Sequence, residues 1–310
     1  DLPPISACRL CVVEIEGDRL LRTACSWMCQ DGMKISTRSQ IVRESRLVAL
    51  ELILSRHPMK CTECVRNGDC ELQDIAHQLG VRENPFEYYQ RPGTLDESSV
   101  AVHRDPSKCI LCRRCVQTCE LVQSVSAINM EGRGYETWVD TPFNKGLAEV
   151  ACVACGQCIN RCPVGALYEA DHTRRVWQAL DDPTKHVVVQ TAPAVRAAIG
   201  EAFGLPAGSL VTDKMVAALR RMGFDKVFDT DFTADLTIME EGTELLGRLE
   251  KGGPLPLLTS CSPGWINFIE HYYPELLPNV STCKSPQQMF GALAKTYYAE
   301  KAGINPQDIF

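Results

Sequence analysis

Hydrophobic and polar positions follow different periods in successive parts of the chain. The opening segment alternates apolar and polar residues on both sides of Gly17 and Asp18, which predicts a β-hairpin that turns there. Residues 40–56 place leucines at i, i+3 and i+7, which is the spacing of an amphipathic helix. Residues 84–106 lack apolar periodicity and are rich in Pro, Gly and Asp, so we expect a connecting loop.

Beyond about residue 172, short apolar runs alternate with helical periods. They predict, in chain order, strand 185–190, helix 195–203, helix 214–222, strand 226–228 and strand 256–258. Strands separated by helices in this rhythm indicate a parallel α/β domain. Ligands bind at the carboxyl ends of the strands in such sheets, so the turns that follow the strands are candidate sites.

Cysteine is the residue type that changes this picture most. The chain has 17 cysteines in 310 residues, and 15 of them precede residue 163 in close local groups. Such grouping is typical of metal ligation in a reducing compartment and not of an extracellular disulfide scaffold, so we expect a cytoplasmic protein. The net charge of -7 argues against nucleic acid as the main partner. No segment approaches the roughly twenty apolar residues that cross a bilayer, so we expect no membrane span.

The spacing Cys-x2-Cys-x2-Cys-x3-Cys occurs twice between residues 109 and 162. Three thiolates two residues apart can bind one 4Fe-4S cluster, while the fourth cysteine of each copy ligates the neighbouring cluster. The spacing therefore predicts two clusters whose ligands cross over between the copies. One set is Cys109, Cys112, Cys115 and Cys162, and the other is Cys119, Cys152, Cys155 and Cys158. Zinc sites or disulfides are the alternatives for the same cysteines.

A histidine and three cysteines follow the predicted helix of residues 40–56. Their spacing is His-x3-Cys-x2-Cys-x5-Cys, at His57, Cys61, Cys64 and Cys70. It resembles the 4Fe-4S centre with one His and three Cys ligands that FeFe hydrogenases share with the large iron-sulfur subunit of complex I. A single histidine is usually not a ligand, but a helix end three residues before such a triplet is a suitable place for one. A neutral imidazole would raise the potential of this centre.

The first cysteines of the chain lie in and beside the predicted hairpin. Cys8, Cys11 and Cys25 resemble three of the four 2Fe-2S ligands of the plant-type ferredoxin fold, whose fourth ligand would lie upstream of Asp1. A zinc site is the alternative for this group. Cys29 has no partner at ligand spacing, and we expect it to be a small buried hydrophobic residue.

Two motifs near the end of the chain resemble the active-site domain of FeFe hydrogenases. One begins at Thr259 and reads Thr-Ser-Cys-Ser-Pro-Gly-Trp, and the other begins at Ser281 and reads Ser-Thr-Cys-Lys-Ser-Pro-Gln-Gln. Either motif alone is weak evidence. Because both follow the cluster motifs in the order of that family, the resemblance covers essentially the whole chain.

The resemblance implies a modular α+β protein. Its parts would be a partial plant-type ferredoxin domain of the β-grasp type (1–40), a helical His/Cys3 4Fe-4S module (41–83), a bacterial 2[4Fe-4S] ferredoxin module (84–171) and the first part of an α/β hydrogenase active-site domain (172–310). The implied cofactors are one 2Fe-2S cluster, three 4Fe-4S clusters and, in the full-length protein, the H-cluster that activates hydrogen.

The resemblance also implies a path for protons. In the family, protons reach the diiron centre through a cysteine, a serine, two glutamates and an arginine. The matching positions are Cys261, Ser281, Glu241, Glu244 and Arg248. The two glutamates and the arginine also share one helix face by their spacing. Without the resemblance, a solvated helix with an ordinary ion pair would be the preferred interpretation.

Further positions are implied to surround the H-cluster. Ala192 and Pro193 would line the pocket beside its bridging dithiolate, and Gln287 would lie near a ligand of the diiron centre. Ser262 departs from the family, which usually has a second cysteine here that binds the cubane; serine is a harder ligand than thiolate. The serine form occurs in the multisubunit, NAD(P)-linked branch of the family. The remaining ligands would lie beyond Phe310, so we expect a longer subunit.

The implied activity is the reversible interconversion of hydrogen with protons and electrons. No Gly-x-Gly-x2-Gly follows a predicted strand, so we expect flavin and nicotinamide to bind elsewhere. The number of clusters suggests docking to a complex I-like flavin subunit that binds NAD(H) and to a small 2Fe-2S subunit, with ferredoxin as a second carrier in an electron-bifurcating complex. Two alternatives stay open: a non-hydrogenase electron-transfer subunit, as in formate dehydrogenase or complex I, and a hydrogenase-like sensor or assembly protein.

Overall fold

The chain forms two compact units. The computed structural model describes residues 2–90 and 93–310. The first unit is Asp1–Ala170 and the second is Asp171–Phe310. Helices and short sheets occur in both units, which agrees with the expectation of a mixed α and β protein.

The first unit begins with a three-stranded antiparallel sheet in the order β2-β1-β3. Its strands are β1 (Val12–Ile15), β2 (Arg22–Thr23) and β3 (Ile35–Ser36). Val12 pairs with Thr23, and the amide of Asp18 donates to the carbonyl of Ile15 at 3.0 Å across the turn. Gly17 has a φ of +86°, a conformation that glycine adopts without steric cost. The predicted hairpin is therefore confirmed.

Four α-helices follow in the described part of the first unit. They are α1 (Gln40–Leu54), α2 (Glu71–Gln78), α3 (Arg114–Gln117) and α4 (Gln157–Arg161). Helix α1 confirms the predicted amphipathic helix, and its apolar face buries Val42, Leu50 and Leu54. Each fully buried leucine contributes about 1.5–3 kcal/mol relative to an exposed one. Because the helix is anchored in this way, the position of the segment that follows it is fixed.

Two further antiparallel strand pairs complete the first unit. Strand β4 (Val102–Arg104) pairs with β7 (Leu167–Glu169), and β5 (Asn129–Glu131) pairs with β6 (Trp138–Asp140). The prediction of a loop over residues 84–106 is wrong near its end, where β4 lies. A strand of three residues is too short to produce a periodic pattern in the sequence. Positions 91 and 92 of that loop lie outside the described residues.

Arg104 is a buried cation at the end of β4. Only 6% of the residue is exposed. Its guanidinium contacts the carboxylate of Asp140, with Nη1 and Oδ1 2.5 Å apart, and that of Asp96, with Nη2 and Oδ2 3.7 Å apart. Both carboxylates are buried as well. The arginine therefore compensates two negative charges inside the first unit.

The substitution Arg104→Ala should destabilise the first unit strongly. It leaves two buried carboxylates without their cation, which costs about 3–5 kcal/mol. The midpoint of anaerobic thermal unfolding, measured against wild type, would show the loss. Arg133→Ala, which removes an exposed arginine, is the control and should leave the midpoint nearly unchanged. Equal midpoints for the two variants would contradict this assignment.

The second unit is built around a parallel strand pair. Strand β8 (Val188–Thr191) runs beside β9 (Lys226–Asp229), with Val188 opposite Lys226. The helices are α5 (Thr173–Leu180), α6 (Pro193–Ala202), α7 (Thr212–Met222), α8 (Thr230–Lys251), α9 (Pro263–Tyr272), α10 (Pro286–Leu293) and α11 (Ala299–Ala302). The two predicted helices and the two parallel strands are thus present, with small shifts at their ends.

The third predicted strand, residues 256–258, is wrong. Only Leu258 pairs there, in a single parallel bridge to Val280. Pro256 is the first residue of this run and Pro254 lies two residues before it, and a proline has no backbone N–H to donate to a sheet. Among the described residues, no helix is both long enough and apolar enough to cross a bilayer.

Candidate metal centres and proton-relay residues

The predicted crossover of cysteines appears as one cavity in the core of the first unit. Its four thiols come from both copies of the spacing, Cys109, Cys112, Cys115 and Cys162, and they line a cavity of about 30 Å³. Three come from the first copy and one from the second. Cys115 and Cys162 belong to the hydrophobic core itself. The core of this unit is therefore assembled around a pocket with sulfur donors.

The other four cysteines line a second cavity of about 30 Å³. They are Cys119, Cys152, Cys155 and Cys158. The loops of the two copies also match in conformation: Leu111 and Arg113 in the first and Ala154 and Gly156 in the second all have a φ between 53° and 71°. Non-glycine residues seldom adopt this left-handed conformation. Its recurrence at equivalent positions curves both loops around their pockets.

Burial keeps several of these thiols neutral in the absence of a cation. It raises the pKa of Cys112 to about 11 and that of Cys158 to about 12, and it raises the pKa of Cys115 as well. Neighbouring thiols add to the effect in each case. A bound metal reverses this balance, because a coordinated thiol loses its proton. The soft sulfur donors and apolar walls fit an iron-sulfur cluster.

The spread of these ligands bears on the zinc alternative. In the ranges 2–90 and 93–310, no three His, Cys, Asp or Glu side chains converge closely enough to hold a single metal ion. Zinc needs its ligands about 2.0–2.3 Å from one point. The thiols of each proposed set line a cavity instead.

His57 and three cysteines, Cys61, Cys64 and Cys70, line a third and smaller cavity in the first unit. Lys108 and Gly165 line the same cavity. His57 is only 8% exposed, and its Nδ1 lies 3.1 Å from the carbonyl oxygen of Lys108. A carbonyl accepts only, so Nδ1 carries the proton and Nε2 is the ring atom suited to metal. A Cβ on Gly165 would lie 2.6 Å from Sγ of Cys64, so this approach requires glycine.

The first three cysteines share a larger and more open cleft. Cys8, Cys11 and Cys25 all line it, and Cys8 and Cys25 are exposed. A hydrogen bond from Cys11 lowers the pKa of Cys25, while burial raises that of Cys11. Cys29 is exposed, so the expectation that it is buried is wrong. The segment around it has too few apolar neighbours to cover it.

In the second unit, Glu244 is the centre of a hydrogen-bonded chain. Ser281 Oγ donates to Glu244 Oε2 at 2.8 Å, and the Thr282 amide donates to the same oxygen at 3.1 Å. Arg248 Nη2 donates to Oε1 at 2.5 Å. Burial opposes ionisation, but these hydrogen bonds outweigh it and lower the pKa of Glu244. Glu244 is therefore an ionised acceptor beside a hydroxyl that can both give and take a proton.

Arg248 also holds the segment that carries Ser281. Its guanidinium donates to the carbonyls of Pro254, Pro278, Asn279 and Val280 at 3.0–3.3 Å. The side chains of Arg248 and Glu244 are 11% and 19% exposed. This is not the solvated ion pair of the alternative interpretation. Arg248 instead fixes the carboxylate and the serine segment relative to each other.

The other two predicted relay residues are Glu241 and Cys261, and their settings in the second unit differ. Glu241 lies one turn before Glu244 on α8, and its Oε1 is buried and has no hydrogen-bond partner among the residues that the structure describes. After burial, the charge of Glu241 is the largest cause that raises the pKa of Cys283. Cys261 is exposed, and in the described part of the chain it makes no hydrogen bond to the other relay residues. Its turn is tied down by Ser260, whose Oγ donates to the Cys283 carbonyl at 2.6 Å.

The residues expected around the H-cluster lie at helix starts. Ala192 is the N-cap of α6 and Pro193 its first residue. Ser262 is the N-cap of α9, where its side chain accepts from the Trp265 amide at 3.5 Å. Gln287 is exposed on α10. The helix starts account for Pro193 and Ser262 without a cofactor, and a role of any of the four residues toward one stays a prediction.

Sequence reasoning missed the groups that act through the backbone. The amide of Thr282 donates to Glu244, and the carbonyl of Lys108 contacts His57. The hydroxyl of Ser260 donates to the carbonyl of Cys283. Only tertiary structure reveals such contacts. Cys283 stands in the quoted Ser-Thr-Cys-Lys motif, and its position two residues after Ser281 was the available signal.

Family models match four successive segments of the chain. The description "Iron only hydrogenase large subunit, C-terminal domain" matches residues 185–310, and "NADH-ubiquinone oxidoreductase-G iron-sulfur binding region" matches 46–85. A "4Fe-4S dicluster domain" matches 108–166 and a "2Fe-2S iron-sulfur cluster binding domain" matches 1–40. The iron-sulfur models thus cover the cysteine-rich unit, and the hydrogenase model covers most of the second.

Curated relatives are similar along almost the whole chain. The NADP-reducing hydrogenase subunit HndD of Solidesulfovibrio fructosivorans is 50% identical over 96% of this chain and 52% of its own length. Iron hydrogenase 1 of Clostridium pasteurianum is 44% identical over 99% of this chain and 53% of its own length. The chain thus spans about half the length of these relatives.

One solved structure is similar over about half of the chain. It is an NAD+-reducing [NiFe]-hydrogenase in the H2-reduced state, with 29% identity and a TM-score of 0.51 over 55% of this chain and 72% of that chain. Residues 185–310 thus match the iron-only hydrogenase large subunit, and the chain as a whole is similar to the two curated hydrogenases along about half of their length.

Proposed function

We propose that this chain is the iron-sulfur and hydrogen-activating part of an FeFe hydrogenase, which interconverts hydrogen with protons and electrons. The observation that carries the proposal is the Ser281, Glu244 and Arg248 chain, which lies within the segment matched by the hydrogenase domain. An electron-transfer subunit without hydrogen chemistry has no need of a shielded hydroxyl-to-carboxylate contact there.

Three 4Fe-4S clusters and one 2Fe-2S cluster are proposed for the first unit. Their ligands would be Cys109, Cys112, Cys115 and Cys162; Cys119, Cys152, Cys155 and Cys158; His57, Cys61, Cys64 and Cys70; and, for the 2Fe-2S cluster, Cys8, Cys11 and Cys25. When bound, such clusters supply one-electron transfer. The protein would hold the ligands of the first 4Fe-4S cluster in a pocket of the hydrophobic core, whereas the cleft of Cys8, Cys11 and Cys25 is open.

The second unit would contribute proton transfer. Ser281 Oγ would accept a proton from its other neighbour as it donates its own to the Glu244 carboxylate, so the hydroxyl is restored; the lowered pKa keeps that carboxylate ionised beforehand. Arg248 would orient that carboxylate through its bonds to the surrounding carbonyls. Cys261 and Glu241 would stand on the side toward the H-cluster, whose surroundings in this chain would include Ala192, Pro193, Ser262 and Gln287.

The proposed electron partners are a complex I-like flavin subunit that binds NAD(H), a small 2Fe-2S subunit and ferredoxin, in an electron-bifurcating complex of an anaerobic cytoplasm. Two relatives support a multisubunit setting by their names. One is the NADP-reducing hydrogenase subunit, and another is a subunit of an NADH-quinone oxidoreductase of Rhizobium meliloti, 36% identical over 59% of this chain. Both names connect this type of chain with nicotinamide chemistry in a multisubunit enzyme.

Hydrogen-driven reduction of a viologen dye by the full-length, matured complex is the direct test. The proposal expects dye reduction that requires hydrogen and is inhibited by carbon monoxide. A non-hydrogenase subunit would give dye reduction with NADH or formate but none with hydrogen. A sensor would show infrared bands of carbon monoxide and cyanide ligands with almost no turnover. Either of these outcomes would contradict the proposal.

A further inference from the structure

Lys108 lies between two of the proposed cluster sites. It immediately precedes Cys109, a proposed ligand of one cubane. Its carbonyl oxygen lies 3.1 Å from Nδ1 of His57, and the residue lines the same cavity as His57 and Cys64. Lys108 therefore lines the His57 site and contacts His57 by its carbonyl. It is also next in sequence to Cys109, a proposed ligand of the neighbouring cluster.

We propose that Lys108 sets the reduction potential of the centre ligated by His57, Cys61, Cys64 and Cys70. The proposal rests on the proposed function, because it requires an iron-sulfur cluster in that cavity. In it the lysine has two roles. Its carbonyl fixes the ring orientation and tautomer of His57, so that Nε2 faces the metal, and its ammonium group favours the reduced state.

The charge of Lys108 is held in place and shielded from water. Its side chain is 18% exposed, and its Nζ lies 3.0 Å from Oδ2 of Asp105. Lys108 and Cys64 line the same cavity. Reduction adds one negative charge to a cluster. A nearby cation that is fixed and shielded from water stabilises the reduced state more than a solvent-exposed cation does. The lysine therefore raises the potential.

Other charged residues face the same cavity but differ in setting. Lys60 also lines it, yet its side chain is 70% exposed and lies 3.8 Å from Glu63. Arg66 lines it as well and is paired with Asp69 at 3.2 Å. Asp105 carries the opposite charge beside Lys108 and should act with the opposite sign. These neighbours provide a matched control and a test of sign.

The test is a redox titration of the complex monitored by electron paramagnetic resonance. In Lys108→Gln, we expect the ratio of reduced to oxidised centre at a fixed potential to fall about three- to tenfold. A tenfold fall corresponds to about 59 mV for a one-electron couple. Asp105→Asn should shift the ratio the other way, and Lys60→Gln should change it little. Iron content, measured on each variant, shows that the centre is loaded.

The outcomes separate this inference from the function on which it rests. A loaded Lys108→Gln protein whose ratio moves no more than that of Lys60→Gln would overturn the inference alone. If Lys108→Gln fails to load, Asp105→Asn decides: no shift, or a shift toward the oxidised state, overturns the inference. If wild-type protein lacks about four of the expected irons and this signal, the proposed centre itself is absent.

Discussion

Replacing Glu244 with Gln is expected to lower hydrogen-dependent dye reduction by about 10²–10⁴-fold, the range typical of a lost general acid or base. Glutamine has the same shape, so it still accepts the hydrogen bonds of Ser281 or Arg248 with its one remaining oxygen. It cannot take up a proton as a carboxylate does. The measurement is the rate of viologen reduction under hydrogen by the matured complex, with the unfolding midpoint recorded beside it.

Glu250→Gln is the matched control for this experiment. Glu250 lies on the same helix α8 and is exposed, so its replacement removes one carboxylate of the same type without touching the chain of hydrogen bonds. The rate of this variant should stay near that of wild type. If Glu244→Gln kept its rate while its iron content was normal, Glu244 would not carry protons. Its bonds to Ser281 and Arg248 would then serve only to fix the fold.

Replacing Cys115 with Ser is expected to remove about four irons from the first unit. Cys115 is 8% exposed and packs in the hydrophobic core, so its replacement leaves a buried hydroxyl that binds iron poorly. Metal binding contributes directly to folding in such sites, so the unfolding midpoint should fall as well. Iron analysis and anaerobic thermal unfolding measure the two effects.

The control for the cysteine experiment is Cys29→Ser. Cys29 is exposed and has no place in any proposed ligand set. This variant should keep its full iron content and its midpoint. A Cys115→Ser protein with wild-type iron would show that the cavity lined by Cys115 and Cys162 holds no cluster.

Local spacing carried most of what the sequence could predict. A repeat such as Cys-x2-Cys-x2-Cys restricts which thiols can meet, and the crossover of Cys119 and Cys162 follows from the extra residue before each. Helix α1 and the hairpin could also be predicted, because the spacing of their apolar residues is contained within one segment. For α1 and the hairpin, prediction and structure agree, whereas cluster binding by the grouped cysteines stays a prediction.

Contacts between distant segments were beyond the reach of the sequence. The run at 256–258 has the composition of a strand. Because Pro254 and Pro256 cannot donate to a neighbouring strand, only one bridge forms there. Arg248 was expected in a proton path, and its bonds to four carbonyls of other segments appear only in three dimensions. Cys29 was expected inside because small thiols usually are, but no apolar surface covers it.

Iron, sulfide and zinc analysis of anaerobically purified protein tests the central claim, that the clustered cysteines and His57 hold iron-sulfur clusters. The ligand sets require about fourteen irons in these 310 residues, an equal amount of acid-labile sulfide, and almost no zinc. One to four zinc ions per chain with no sulfide would contradict that claim and the proposed hydrogen chemistry that depends on it.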